Sequence, residues 1–202
     1  SNWLERFLYS QADTVMINSP GFKQHVMERG AKNIVLIPNG ADPLMFSGNG
    51  ENFRNEHGLT EKFVVMYTGA HGISNDLHIV LQAAKLLLDD PSIYFVFVGD
   101  GKEKQNLINK AMQLNLTNVL FLPSIPKKQM AGVLSAADAC VAILKPLDLY
   151  KTTYPNKVFD AMAAGKPILL CIDGVVREVV EEANAGIFCQ PGDFPALANA
   201  IR

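Results

Sequence analysis

Short runs of consecutive apolar residues, rich in β-branched and aromatic side chains, recur along this chain with longer amphipathic stretches between them. Phe63-Val-Val-Met-Tyr67 and Ile93-Tyr-Phe-Val-Phe-Val98 are two such runs. A strand that is apolar at every position is buried on both faces, and burial on both faces requires helices that cross over between parallel neighbours. The pattern predicts strands near 13–18, 34–37, 63–69, 93–98, 118–122, 138–143, 167–172 and 186–189. Helices are expected near 20–29, 75–89, 101–115, 127–136, 156–164, 175–183 and 193–202. The fold class is therefore α/β, a doubly wound parallel sheet.

At 202 residues the chain is long enough to support a core without disulfides or metal. Its 18 Lys and Arg against 20 Asp and Glu leave a net charge of −2, with no basic run, so it lacks the electrostatic footprint of a nucleic-acid binder. Cys140, Cys171 and Cys189 lie in apolar stretches and form no Cys-x-x-Cys pair. They read as small buried hydrophobes in a reducing, cytoplasmic compartment. No apolar run approaches the ~20 residues of a membrane-spanning helix. No signal peptide follows Ser1-Asn2.

Composition shifts between residues 38 and 62, where Pro38-Asn-Gly-Ala-Asp-Pro43 opens a polar stretch with little expected periodic structure. Residues 1–37 supply two strands and two helices, too few to close a core alone. The expected organisation is residues 1–42 as the tail of a preceding domain with its linker, and 43–202 as a second domain. The helical pattern from Asp193 to Arg202 stops without a cap, so that domain is expected to be truncated at its end.

In open α/β sheets ligands sit at the carboxyl ends of the strands. The loop Gly69-Ala-His-Gly72-Ile-Ser-Asn75 runs from a strand into a helix whose N-cap is Ser74 or Asn75. Its backbone N–H groups would suit a phosphate, but it matches neither the dinucleotide nor the Walker spacing, and a plain tight turn explains it equally. Gly99-Asp-Gly101 allows close backbone approach, or merely caps the following helix. The stretch from Lys145 to Pro167 is the richest. Pro155, Gly165 and Pro167 bracket a short helix whose Val158, Phe159, Met162 and Ala163 face the sheet. Asn156, Lys157 and Asp160 share the polar N-terminal edge of that helix. A carboxylate there can accept both hydroxyls of a ribose, and a lysine at a positive helix end favours a phosphate; a surface Lys–Asp pair is the plainer alternative. Asp173-Gly-Val needs no more than a capping role. No metalloprotease, serine-hydrolase or EF-hand motif occurs, and His25, His57, His71 and His78 are scattered, so no metal site is expected.

Taken together, the loops and their order resemble the donor-binding half of a retaining family 4 glycosyltransferase with the GT-B fold. The resemblance rests on Ala12-Asp-Thr-Val with Asn18-Ser19, Ile37-Pro-Asn-Gly-Ala-Asp42 followed by Phe46, Tyr67-Thr-Gly69, Phe97-Val-Gly-Asp-Gly101, Ala137-Asp138, and Pro155-Asn-Lys-Val-Phe-Asp160-Ala-Met-Ala-Ala-Gly-Lys-Pro167. It covers essentially the whole chain and is nearest the bacterial branch that builds surface polysaccharides.

The resemblance implies two Rossmann-like domains, of which the C-terminal one holds a nucleotide-diphosphate sugar, most commonly of uridine, and the preceding one a saccharide or lipid-linked acceptor. It implies no metal or other cofactor, and places the full-length protein in the cytoplasm at the inner face of the membrane. Asp160 takes the place of a ribose-gripping Glu, and Thr152 replaces an acid that contacts the donor sugar. Between Lys62 and Lys85 neither Arg nor Lys is present to neutralise the diphosphate. The implied binding set is then Gly69, His71 and Gly72 with Lys145 and Lys157 for the phosphates, Gly99, Gly101, Ser124 and Ile125 for the base, and Tyr154, Asn156 and Asp160 beside them. Lys157 and Thr152 are the implied catalytic positions. Two other readings stand beside the enzyme: a non-catalytic nucleotide-sugar-binding protein of the same fold, and a related epimerase, which would need an acid pair that the sequence does not offer. The half chain by itself is expected to be inactive, because half the cleft is missing.

Overall fold

The computed structural model describes residues 2–202. In chain order its elements are α1 (Asn2–Gln11), β1 (Val15–Ile17), α2 (Lys23–Glu28), β2 (Ile34–Leu36), α3 (Glu51–Glu56), β3 (Phe63–Thr68), α4 (Leu77–Leu86), β4 (Ile93–Val98), α5 (Lys104–Gln113), β5 (Val119–Leu122), α6 (Met130–Ser135), β6 (Ala139–Ile143), α7 (Asn156–Ala163), β7 (Ile168–Cys171), α8 (Val175–Glu182), β8 (Gly186–Phe188) and α9 (Phe194–Ile201). Each expected strand is found, β4 with the expected bounds and the others slightly shorter. β1 and β2 form a separate parallel pair, and the other six make one parallel sheet in the order β5-β4-β3-β6-β7-β8.

Alternation along each central strand sends side chains to two cores. Val65 and Tyr67 with Phe95 and Phe97 meet Leu77, Leu81, Leu107 and Leu197 from α4, α5 and α9. Val64 and Met66 with Val96 and Val98 meet Val133, Val158, Ala161 and Val176 from α6, α7 and α8. Both faces are dry, which is why the strands read as unbroken apolar runs.

The polar stretch 38–62 is more ordered than its composition predicts. It contains a 3-10 turn, Pro43–Phe46, whose Phe46 is buried, and α3, which is fastened to the sheet through Arg54. Arg54 donates from Nε to the Ala136 carbonyl at 2.9 Å and from a terminal nitrogen to the Lys62 carbonyl at 3.0 Å. Its other terminal nitrogen pairs with Asp138 at 2.5 Å, and the same carboxylate oxygen accepts from the Val64 amide at 2.7 Å. A six-residue helix has too few internal hydrogen bonds to hold alone; this guanidinium fixes it. The motif Ala137-Asp138 is thus structural.

Residues 2–37 have a small core of their own, Ile17, Val26 and Ala31. Residues 19–39 are tied to the main body around Thr152 and Tyr154. Ser19 Oγ donates to the Thr152 carbonyl, Asn39 Nδ2 donates to the Tyr154 carbonyl at 2.7 Å, and a Cβ on Gly21 would fall 2.5 Å from Thr152 Cα.

Candidate functional site

Strand order reverses between β3 and β6: the chain steps outward through β4 and β5, then returns to pair with the other side of β3. At such a reversal the connections leave in opposite directions and open a crevice at the strands' carboxyl ends. Three segments flank it here. They are the turn 69–76 after β3, the segment 144–155 after β6, and the first turn of α7. The first two are tied together, because the Lys145 amide donates to the Ser74 carbonyl at 3.0 Å and Tyr150 Oη bonds Ser74 Oγ at 2.6 Å.

The turn after β3 is held against the one after β4 by backbone alone. The Gly69 amide donates to Val98 O at 3.0 Å, the His71 amide to Asp100 O at 2.8 Å, and the Glu103 amide to His71 O at 2.9 Å. A Cβ at Gly99 would overlap the Gly69 carbonyl, and one at Gly101 would sit 2.5 Å from the His71 carbonyl oxygen. Both glycines have positive φ, so the two turns can nest only without side chains there. Lys104 ties the turn after β4 to the end of β5 by donating to the Gly99 and Leu122 carbonyls at 2.8 and 2.9 Å. The Ala70 and Gly72 amides donate to no acceptor among the described residues. α4 starts at Leu77 behind Asp76, which is left-handed and makes no side-chain cap, in place of the expected Ser74 or Asn75 cap.

Lys157, the second residue of α7, reaches over the end of β3. Its Nζ donates to Tyr67 Oη at 2.8 Å and to Asn75 Oδ1 at 3.1 Å, and lies 4.3 Å from the centre of the Tyr67 ring. A Cβ on Gly69 would be 3.3 Å from this nitrogen. Both partners are neutral, burial of the phenol having pushed the Tyr67 pKa further above its ordinary value. With no carboxylate to offset its desolvation, the Lys157 ammonium is pushed down to about 7. The anticipated Lys157–Asp160 surface pair does not form. Asp160, half-buried, faces Lys127 instead; burial raises its pKa while Lys127 opposes the rise, and no side chain hydrogen-bonds it. Asn156 is exposed at the start of the same helix, and Ala161 rather than Phe159 joins Val158 in the buried stripe.

Other expected positions are placed differently. His71 is completely buried, its ring set among Tyr67, Phe97 and Phe121, and both ring nitrogens lack a partner. Burial, then Lys104, with a smaller push from Lys157 and against Asp100, lower it to about 4. As a side-chain phosphate donor it is therefore corrected: the imidazole is neutral and sealed in, and the residue contributes through its backbone. Lys145 lines a hollow of about 210 Å³ with Tyr150, Lys151, Asp173 and Gln190, none of which is hydrogen-bonded to Lys157. Ser124 is exposed, while Ile125 packs on the core and borders a groove with Phe53, His57 and Leu122. Tyr154 stacks edge-on against Phe159, 5.5 Å between centres, and its hydroxyl feels Glu178 and Glu182 of α8. Thr152 Oγ1 is committed to the Leu149 carbonyl at 2.7 Å. The side chains of Tyr67, Asn75 and Lys104 are not in the expected binding set. Tyr67 and Lys157 are 90 residues apart and their pairing leaves no local pattern.

The sequence from 49 to 202 matches the family model of glycosyl transferases group 1. The chain belongs to this family. Among curated relatives, it is 28% identical over 206 residues to the putative colanic acid biosynthesis glycosyl transferase WcaI of Escherichia coli, covering 98% of this chain and 47% of that protein. It is 24% identical over 204 residues to the N-acetyl-alpha-D-glucosaminyl L-malate synthase of Bacillus anthracis, covering 98% and 51%. The chain thus spans about half the length of the curated relatives it matches. In fold it superposes on the Anabaena protein HepE, solved with UDP-glucose, with a TM-score of 0.84 at 23% identity, over 100% of this chain and 57% of that one. Sucrose-phosphate synthase from Thermosynechococcus elongatus gives 0.81 at 24% identity, over 99% and 51%. The fold is that of a Rossmann-like domain of the GT-B type. Among the described residues no helix is long and apolar enough to cross a membrane.

Proposed function

We propose that this group 1 glycosyltransferase chain binds the nucleoside diphosphate of a sugar donor in the crevice between β3 and β6, and that the full-length protein transfers the sugar with retention. The observation that carries the reading is Lys157: an ammonium pulled out of water, held by two neutral acceptors, and left without an anion at the positive start of a helix. A diphosphate supplies the missing charge. The unpartnered Ala70 and Gly72 amides add neutral donors beside it, and together they stabilise charge on the leaving group as the glycosidic bond breaks. Asp160, free of internal hydrogen bonds, accepts from the ribose hydroxyls. Protein groups rather than a metal meet the diphosphate charge in this reading.

A uridine diphosphate sugar is the proposed donor, supported by the UDP-glucose complex of HepE. A saccharide or lipid-linked acceptor, residues 1–42 as the tail of an acceptor domain, and work at the cytoplasmic face of the membrane in surface-polysaccharide synthesis complete the proposal, with the WcaI relative in its favour. A second reading, a nucleotide-sugar-binding protein without transfer, is favoured by Thr152, which has no carboxylate and whose hydroxyl is already bonded to Leu149.

Calorimetric titration with UDP, GDP and ADP, beside an Asp160→Ala variant, tests the site. One nucleotide should bind best, and loss of the carboxylate should weaken it about tenfold or more, the worth of a charge-assisted hydrogen bond. Failure of all three to bind an intact fold would remove the proposal. Sugar transfer by the full-length protein separates the two readings.

A further inference from the structure

Tyr67 is not a member of the binding set derived from the sequence, yet its phenol stands at the centre of the site. The hydroxyl donates its single proton to the Ala70 carbonyl at 2.8 Å, so towards Lys157 it can only accept. Lys157 has three N–H bonds. One goes to Tyr67 Oη and one to Asn75 Oδ1. The third is left over beside Gly69, at the mouth of the turn.

From this geometry we infer that Tyr67 and Asn75 are positioning residues for Lys157: they spend two of its protons on neutral acceptors so that the third is held towards the donor's diphosphate. The inference rests on the donor-binding reading and deepens it. Tyr67 also links the ammonium to the phosphate-binding turn itself, because the same hydroxyl that receives Lys157 anchors Ala70. Charge and backbone donors are thereby kept in one register. Neutrality of the two acceptors matters as much as their position. A carboxylate at either place would neutralise the lysine within the protein and compete with the ligand.

The groups facing Lys157 are few. From β3 comes the Tyr67 hydroxyl and from the turn before α4 the Asn75 amide. His71, neutral and buried, lies behind Tyr67 with Lys104 and Asp100 beyond it. On α7 itself Asp160 is turned to Lys127. None of these supplies a counter-charge, so removal of one acceptor should be read directly in the titration of the lysine.

The experiment is an NMR titration of Lys157, with calorimetry of the tightest of UDP, GDP and ADP at pH 6 and pH 8, on the 202-residue chain and on Tyr67→Phe and Asn75→Asp. Tyr67→Phe keeps the ring that packs on Phe97 and removes the acceptor. Lys157 should then titrate lower than in the parent. Affinity should fall by about tenfold at pH 8 and by less at pH 6, where the ammonium is more fully populated. Asn75→Asp should move the lysine titration the other way, upwards, and still weaken nucleotide binding. Unchanged affinity in both variants would overturn the inference. So would an equal loss at the two pH values with the Lys157 titration unmoved, since that is what a purely structural role would give. If the parent chain binds none of the three nucleotides, it is the donor-binding reading that fails.

Discussion

Lys157, part-buried, and His71, fully buried, are basic side chains near the end of β3, and their surroundings give them opposite uses. Lys157 has two acceptors and an open third proton, whereas His71 has neither donor nor acceptor for its ring. An imidazole kept neutral in the fold makes stability depend on pH in one direction. The unfolded chain takes up a proton near the ordinary histidine value of 6.5, while the folded chain resists protonation down to about 4. Stability should therefore decline as pH falls through that window, by a total of about 3 kcal/mol, and level off below it. His71→Leu should flatten the slope and raise stability at pH 7, because two orphaned polar atoms are replaced by methyls. Denaturant unfolding at pH 7 and pH 5 checks both; a variant less stable than the parent at pH 5 would contradict the account. At this scale the sequence exposed Asp160 and Lys157 as chemistry-bearing residues, since the proline and glycine brackets mark the helix that carries them. It did not expose their partners. Tyr67 and Asn75 come from segments 90 and 82 residues away, and only the closed sheet brings them together.

The central strands were legible because parallel strands buried on both faces leave an unbroken apolar signature, as β3, β4, β6 and β7 do; β1, β2 and β8 are short and partly exposed but keep the same apolar runs. α3 was not legible. Its sequence, Glu51-Asn-Phe-Arg-Asn-Glu56, has a single apolar residue and looks like loop, and what makes it helical is the distant clamp of Arg54 on Ala136 and Asp138. The nested turns after β3 and β4 fall between these cases: their glycines are visible, their mutual contact is not. That contact leads to a prediction at the same scale. Gly101→Ala places a methyl 2.5 Å from the His71 carbonyl in a backbone conformation that strains any side chain. It should cost on the order of 2 kcal/mol or more and weaken nucleotide binding along with it, because the turn bearing the Ala70 and Gly72 amides must shift. Gly58→Ala, at φ +67° and with nothing within 4 Å, gives the cost of a left-handed position without a clash, and its loss should be the smaller. Equal losses in the two variants would argue against nesting of the turns.

For the whole molecule, apolar exposure is unevenly distributed. Among the described residues, eleven of the eighteen large hydrophobic side chains left exposed lie within residues 2–45. Trp3 and Phe7 stack on each other along α1, and Met16 and Val35 are register partners on the β1–β2 pair, both open to solvent. A surface of this kind associates with another apolar surface when one is available. The chain by itself should therefore self-associate reversibly with rising concentration. A Met16→Glu and Val35→Lys double variant should shift it towards monomer in sedimentation experiments without altering nucleotide affinity, since both residues are exposed on a sheet separate from the one that carries β3. A parent chain that stays monomeric at all concentrations would show that this face is not adhesive. The account as a whole depends on the unmatched cation of Lys157 at the crevice. Its most direct test is nucleotide affinity of Lys157→Met against the parent at pH 6, where the lysine is charged. The account predicts a loss of about tenfold to a hundredfold, with the fold intact or more stable, because an uncompensated buried charge has gone. Undiminished affinity in the methionine variant would contradict it.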